Sequence, residues 1–272
     1  LVDTAGRYTT QDSDSSVDAQ GWRSFLSLLK KHRPLQPING ILIAIGVDEL
    51  LKGSRANLDT HAAAVRRRLA EVRATLEVSV PAYLILTKAD LLAGFCEFYD
   101  DLDVEGRRAV LGATLPITTG KPDPAAVVTA FDRLVASQSE RPAKRLYEEV
   151  YATRRSLILG FPAQLGALRA RLARFVDGAF IAGDQATASL RGFYFTSGVQ
   201  DGAPLDRILS GVAEVYDTRT AARGQSGRTY FLNRLLSDVV FAEAGLVQMD
   251  PAARARLRRR TIIGVSAIAV AA

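Results

Sequence analysis

Apolar positions in the first part of the chain switch between two periods. From Ala19 to His32 the residues Trp22, Phe25, Leu26, Leu28 and Leu29 recur at helical spacing, and Pro34 with Pro37 ends the helix. Ile38 to Ile45 is instead a near-continuous β-branched run, the pattern of a strand buried on both faces of a parallel sheet. Asn57 to Leu76 returns to an amphipathic helix pattern, basic through Arg66, Arg67, Arg68 and Arg73. Pro81 then introduces a second apolar strand, Ala82 to Thr87. At the start, Leu1-Val2 reads as the last turn of a further buried strand whose beginning lies upstream, and a polar loop follows from Tyr8 to Asp18. Strand, helix, strand, helix, strand at this spacing predicts a doubly wound α/β sheet, incomplete at its N-terminus.

The later pattern is mostly helical. Helices are predicted at Ala125–Ala136, Ala143–Leu159, Pro162–Phe180, Leu205–Tyr216 and Thr229–Phe241, with Leu190–Thr196 as the one strand-like interruption. The reading divides the chain into an α/β part at 1–125, a mainly helical part at 126–255, and a distinct segment at 256–272. There is no internal repeat.

Charge sharpens the last division. The 272 residues carry 35 Lys/Arg and 29 Asp/Glu, a net of +6. Residues 1–140 hold 16 basic against 18 acidic groups, a net of −2, which leaves 19 against 11, a net of +8, for 141–272. Arg254, Arg256, Arg258, Arg259 and Arg260 stand directly before a charge-free stretch of twelve residues, Thr261 to Ala272. Lys and Arg beside a membrane span are held on the cytoplasmic side, so this reads as the start of a transmembrane helix with the preceding chain in the cytoplasm. An apolar core helix is the other reading. A nucleic-acid surface is disfavoured, because the largest Arg cluster abuts an apolar segment and is not interleaved with aromatics. One Cys and two His exclude a disulfide framework and leave no ligand set for zinc; no haem motif is present.

Two short motifs carry chemistry, each at the carboxyl end of a strand, where open α/β sheets bind ligands. Asp3-Thr4-Ala5-Gly6 offers a carboxylate that can hold Mg²⁺ through water and a glycine N–H that a terminal phosphate can approach. Thr87-Lys88-Ala89-Asp90 offers, at Asp90, an acceptor for the N1–H and amine of guanine, with the Lys88 stem covering the base face. Together they predict a P-loop-NTPase-like, GTPase-like sheet binding GTP or ATP with Mg²⁺. The alternative for the second motif is a strand-to-helix turn capped by Asp90. The phosphate loop G-x-x-x-x-G-K-[S/T] does not occur in this sequence, so residues 1–272 alone are not expected to hydrolyse nucleotide and no catalytic residue is assigned; the alternative is an active GTPase or ATPase completed by a phosphate loop upstream.

The strings D-T-A-G-R and T-K-x-D resemble the signal-recognition-particle GTPases, but the 84-residue interval from Asp3 to Thr87 is longer than that family's. A closer resemblance runs the length of the chain, to the IcmF (TssM) family of type VI secretion inner-membrane proteins. It is carried by Leu1-Val-Asp-Thr-Ala-Gly-Arg-Tyr-Thr-Thr-Gln-Asp-Ser13, Arg33-Pro-Leu-Gln-Pro-Ile-Asn-Gly40, Tyr83-Leu-Ile-Leu-Thr-Lys-Ala-Asp-Leu-Leu-Ala-Gly-Phe95 and Arg191-Gly-Phe-Tyr-Phe-Thr-Ser-Gly-Val-Gln-Asp-Gly-Ala-Pro-Leu-Asp-Arg207. The resemblance implies a cytoplasmic region between transmembrane parts of an envelope-spanning scaffold. Its implied partners are a TssL-like inner-membrane protein, a TssJ-like lipoprotein met through a periplasmic region, baseplate proteins, and further copies of itself. The residues it carries over are Asp3, Gly6, Thr87, Lys88 and Asp90; Thr87 stands where GTPases usually have Asn.

Other conspicuous residues have two readings each. Phe193, Tyr194 and Phe195 suit either an exposed partner-binding strand or two-sided core packing. Arg66, Arg67 and Arg68 suit phosphate or lipid contact, or a solvated helix face. Ser197 has no His in a companion motif and is no evident nucleophile. Cys96 reads as a small buried hydrophobe.

Overall fold

The computed structural model describes residues 15–117, 123–182, 188–198 and 229–249. Its first elements are α1 (Ser15–His32), β1 (Ile41–Gly46), α2 (Val47–Lys52), α3 (Arg55–Leu76), β2 (Val78–Ser79) and β3 (Pro81–Thr87). Then follow α4 (Phe95–Tyr99), α5 (Val104–Arg108), β4 (Leu111–Thr114), α6 (Pro124–Ser139) and α7 (Pro142–Glu148). The last are α8 (Ala152–Gly166), α9 (Arg169–Val176), β5 (Ser189–Phe195) and β6 (Gln248–Met249). The fold is mixed α/β. Its four-stranded sheet has the order β1-β3-β5-β4, with β1, β3 and β5 parallel and β4 antiparallel to β5.

Local sequence explains the long helix and the central strand. Ser54 caps α3 by accepting the Asn57 N–H at 3.1 Å, and Glu77 ends it in the left-handed conformation at φ 56°. Leu58, Ala62, Val65 and Leu69 on α3 enter the main core, while Val72 and Leu76 join Trp22 and Leu26 of α1 in a second cluster. β3 is buried along nearly its whole length, as its unbroken apolar run requires.

The strand from the second half of the chain lies inside the sheet. β5 sits between β3 and β4, and Phe193, Tyr194 and Phe195 are each 0% exposed. Phe193 and Phe195 point into the core shared by Leu84, Leu86, Phe131 and Phe161, whereas Tyr194 faces the other side with Tyr83, Ile85 and Leu235. A partner-binding role for these three rings is therefore corrected: pairing on both edges and packing on both faces leave them no accessible surface. Residues on both sides of position 125 share one core cluster.

The pairing of β3 with β5 contains a bulge. Ala82 pairs with Leu190 and Tyr83 with Gly192, so Arg191 is the extra residue and its side chain leaves the strict alternation. Gly192 has to be glycine, because a Cβ there would lie 2.3 Å from the Ala113 carbonyl oxygen and 2.5 Å from the Tyr194 hydroxyl.

Three helix expectations change. Pro162 does not open a helix; α8 runs through it, and burial of Ile158, Phe161 and Leu165 outweighs the missing hydrogen bond. The expected helix Ala143–Leu159 is broken between α7 and α8. Thr229–Phe241 begins with Tyr230 bridged to Ser197, and helix starts only at Asn233, passing into a wide π-helix at Leu235–Phe241. The expected helix Leu205–Tyr216, the Arg cluster and the apolar segment 256–272 lie outside the described residues. Among the described residues no helix is long and apolar enough to cross a membrane.

Arg66 and Arg68 of α3 have structural partners, while Arg67 is exposed: Arg66 donates to the Gly178 carbonyl at 2.7 Å, and Arg68 pairs with Glu71 at 2.8 Å and lies over the Trp22 ring. Cys96 is half-buried in α4, and burial, then the carboxylates of Glu97, Asp90 and Asp100, push its thiol up to about 12. Native protein at pH 8 is expected to react with iodoacetamide on the order of 10²-fold or more slower than a free thiol, and at the free rate once unfolded in urea. Full-rate labelling of the native chain would contradict this burial.

Candidate functional site

The carboxyl ends of the three parallel strands converge on one edge, and each contributes a polar side chain. Thr87 closes β3, and its hydroxyl donates to the Ile45 carbonyl of β1 at 3.3 Å. Lys88 then takes the left-handed conformation at φ 59°, an uncommon state for a residue with a Cβ, which breaks the strand sharply. The turn is fixed from β5: Ala89 N–H donates to the Thr196 carbonyl at 3.1 Å, and Thr196 N–H to the Leu86 carbonyl at 2.9 Å. Asp90 follows in a short 3₁₀ turn, Ala89–Leu91.

Two residues not assigned from sequence complete the edge. Ser197, just beyond β5, donates its hydroxyl to Asp90 Oδ1, and its backbone exchanges two hydrogen bonds with Tyr230 at 3.0 and 2.9 Å. Asp48, two residues past β1, holds the Lys88 ammonium at 3.3 Å through Oδ2, while its Oδ1 is buried with no hydrogen-bond partner. Gly46 makes this possible, since a Cβ there would lie 2.2 Å from that same oxygen. The signal for both is their place within two residues of the carboxyl end of an apolar strand, Asp48 after β1 and Ser197 after β5. Ser197 was set aside as a nucleophile; its actual work is to orient a carboxylate.

This arrangement suits the edge of a base. An ionised carboxylate has about four acceptor positions. Ser197 occupies one at Asp90 Oδ1, and Oδ2 accepts no hydrogen bond from the described residues. Two oxygens in one plane, one of them oriented, match paired N–H donors such as guanine N1–H and its amine. Lys88 reaches the Asp48 carboxylate on the same edge. Thus Thr87, Lys88 and Asp90 stand on one edge of the sheet with Ser197 and Asp48. Asp3 and Gly6, assigned to Mg²⁺ and phosphate, lie outside the described residues. No group of three or more His, Cys, Asp or Glu among the described residues is placed to hold a metal ion.

Comparison with known proteins gives the lineage. The description IcmF-related N-terminal domain matches residues 15–268. The Type VI secretion system component TssM1 of Pseudomonas aeruginosa is 42% identical over 277 residues, covering 99% of this chain and 25% of that protein. This chain thus spans about a quarter of the length of the curated relative that it matches. No solved structure matches it. The match extends from α1 through the sheet and its helices to the segment beyond β6, and the chain belongs to the TssM/IcmF family.

Proposed function

We propose that this chain is the cytoplasmic region of a type VI secretion membrane-core protein in the bacterial inner membrane, and that it scaffolds assembly of the membrane complex and its contact with the baseplate. Its relative's name as a type VI secretion component supports this reading, as do the five arginines set against an apolar segment after residue 253. A TssL-like inner-membrane protein and a TssJ-like lipoprotein are the partners proposed, the latter through a periplasmic part of the whole protein. In this reading a guanine nucleotide, with Mg²⁺ at Asp3 and phosphate at Gly6, acts as a conformational ligand and not as a metabolic substrate.

The observation that carries the nucleotide part is the Asp90 carboxylate oriented by Ser197 beside a Lys88 held by Asp48. The test is equilibrium binding of GTP and ATP to the full cytoplasmic region, including its upstream segment. Loss of a charge-assisted hydrogen-bond acceptor costs about 1.5–3 kcal/mol, so Asp90→Ala should weaken GTP binding roughly 10- to 100-fold and leave ATP nearly unchanged. Equal GTP affinity in the two proteins, or none in either at millimolar concentration, removes nucleotide from the function.

A further inference from the structure

Residues 229–249 run antiparallel to β5 across the Tyr194 face of the sheet and are fastened at both ends. At the carboxyl edge, Tyr230 forms a two-hydrogen-bond bridge with Ser197, the residue that orients Asp90. Phe231 follows in the left-handed conformation at φ 61° and donates its N–H to the Arg107 carbonyl at 2.6 Å. In the middle, Leu235 is 0% exposed against Tyr83, Ile85 and Tyr194, with Val239 and Val240 beside it. At the amino edge, Glu243 accepts two hydrogen bonds from Arg191, one at 2.9 Å from Nε and a short one from Nη2. Glu243 also accepts from the Tyr83 hydroxyl at 2.8 Å, and Gln36 and Asn39 hold the next carbonyl, that of Ala244, at 2.8 and 3.1 Å. The segment ends by pairing β6 with β2, and the sequence then continues into the Arg cluster.

We propose that this segment is a regulatory strap: through the bulge in β5, it couples the Asp90–Ser197 edge to the β6 end of the segment, where the sequence runs on toward the Arg cluster. The proposal concerns regulation of the site described above and rests on that reading for its purpose, though the coupling itself needs no ligand. The physical link is register. Arg191 is the extra residue of the bulge, and its guanidinium is tied to Glu243 and, through Nη1, to the Leu115 carbonyl of the chain after β4. Those bonds hold the bulge at this one position, and the bulge sets which residues of β5 face β3. Once Glu243 lets go, the bulge loses its two-point clamp, and the Leu115 contacts of Arg191 and the packing of Phe193 and Phe195 are left to oppose a slip of β5 against β3. A slip of one residue carries Ser197 away from Asp90 and breaks the bond from Ala89 to Thr196. Conversely, a ligand that fixes Asp90 favours the register in which Arg191 meets Glu243, because coupling between two sites is reciprocal. Pull or docking on the chain after residue 249 and occupancy of the edge therefore bias one equilibrium.

Hydrogen exchange read by mass spectrometry on the full cytoplasmic region tests this. Glu243→Gln is expected to accelerate exchange about tenfold or more in the peptide spanning 88–92, at the opposite edge of the sheet, as well as in 189–198, which carries its partner Arg191. Asp90→Ala should do the same in 239–249. Peptides within 55–76 on α3 should stay within twofold of the native rate, which separates a register change from general loosening. Should Glu243→Gln fail to fold, Tyr83→Phe, which removes only the phenol donor, carries the same comparison with a smaller effect. Acceleration confined to the substituted end, in both directions, overturns the strap. Addition of GTP should slow exchange in 239–249 of the native protein; if the reciprocal effects of the substitutions hold while GTP does nothing, the coupling stands and the nucleotide reading falls.

Discussion

Phe95→Ala is expected to lower the free energy of unfolding by about 3–5 kcal/mol, the range for deleting a fully buried aromatic ring. Phe95 opens α4 and is 0% exposed. Its ring lies 5.0 Å from Tyr99 on its own helix, 5.8 Å from Phe161 of α8, and 5.5 and 6.1 Å from Tyr230 and Phe231 of the strap, all edge to face. One side chain therefore joins three parts of the chain that are far apart in sequence. Collapse around the vacated volume is restricted, because Gly94 just before it is held at φ 83° with no room for a Cβ against the Leu157 carbonyl. The cavity term should thus be close to its full size. Urea unfolding followed by circular dichroism gives the measurement, with the denaturant slope unchanged as the sign that the unfolded state is not the cause. Phe95→Leu should cost less than half as much. A loss below about 1 kcal/mol for the alanine variant would show that the ring cluster is not a single packed unit.

Elements with a strong local signal were legible from the sequence. β1, β3, α1 and α3 were all anticipated, because an unbroken apolar run and a 3.6-residue stripe each have one good solution. β4 escaped: four residues including Gly112 hold too little pattern, and the strand exists because β5 supplies its partner edge. The Leu190–Thr196 strand was anticipated as a strand but not as a centre of the sheet, since pairing with β3 spans more than a hundred residues and leaves no local trace. The candidate site divides along the same line. Thr87, Lys88 and Asp90 announce themselves by contiguity, whereas Ser197 and Asp48 acquire meaning only when parallel pairing brings the ends of β1, β3 and β5 together. Pro162 shows the converse, a strong local signal overruled by burial of its neighbours.

Glu243→Ala is expected to cost about 3 kcal/mol, and most of that cost comes from what the substitution leaves behind. The Arg191 side chain is 7% exposed and that of Glu243 19%, so removing the carboxylate strands a guanidinium whose remaining hydrogen-bond partner among the described residues is the Leu115 carbonyl. Breaking a buried pair from one side costs about 3–5 kcal/mol; the residual exposure of Glu243 puts this one at the low end. Replacing both partners by apolar residues of similar size, Arg191→Met with Glu243→Leu, removes the stranded charge, and the double variant should be more stable than Glu243→Ala alone. Acidity provides a second reading of the same pair. The guanidinium of Arg191 holds the Glu243 carboxyl below its ordinary value of 4.5, and the Tyr83 hydroxyl adds to this. Burial and Glu243 push the Tyr83 phenol well up, so it keeps its proton and goes on donating. A carboxyl whose folded value lies below its unfolded one contributes stability that is fully present above the unfolded value and is lost as pH falls through the folded value. The stability difference between the native protein and Glu243→Gln, measured by urea unfolding, should therefore be constant from pH 7 to about 5 and shrink progressively below about 4.5. A difference that stays flat down to pH 3, or a double variant no more stable than Glu243→Ala, would mean that the pair is not what anchors the strap to the bulge.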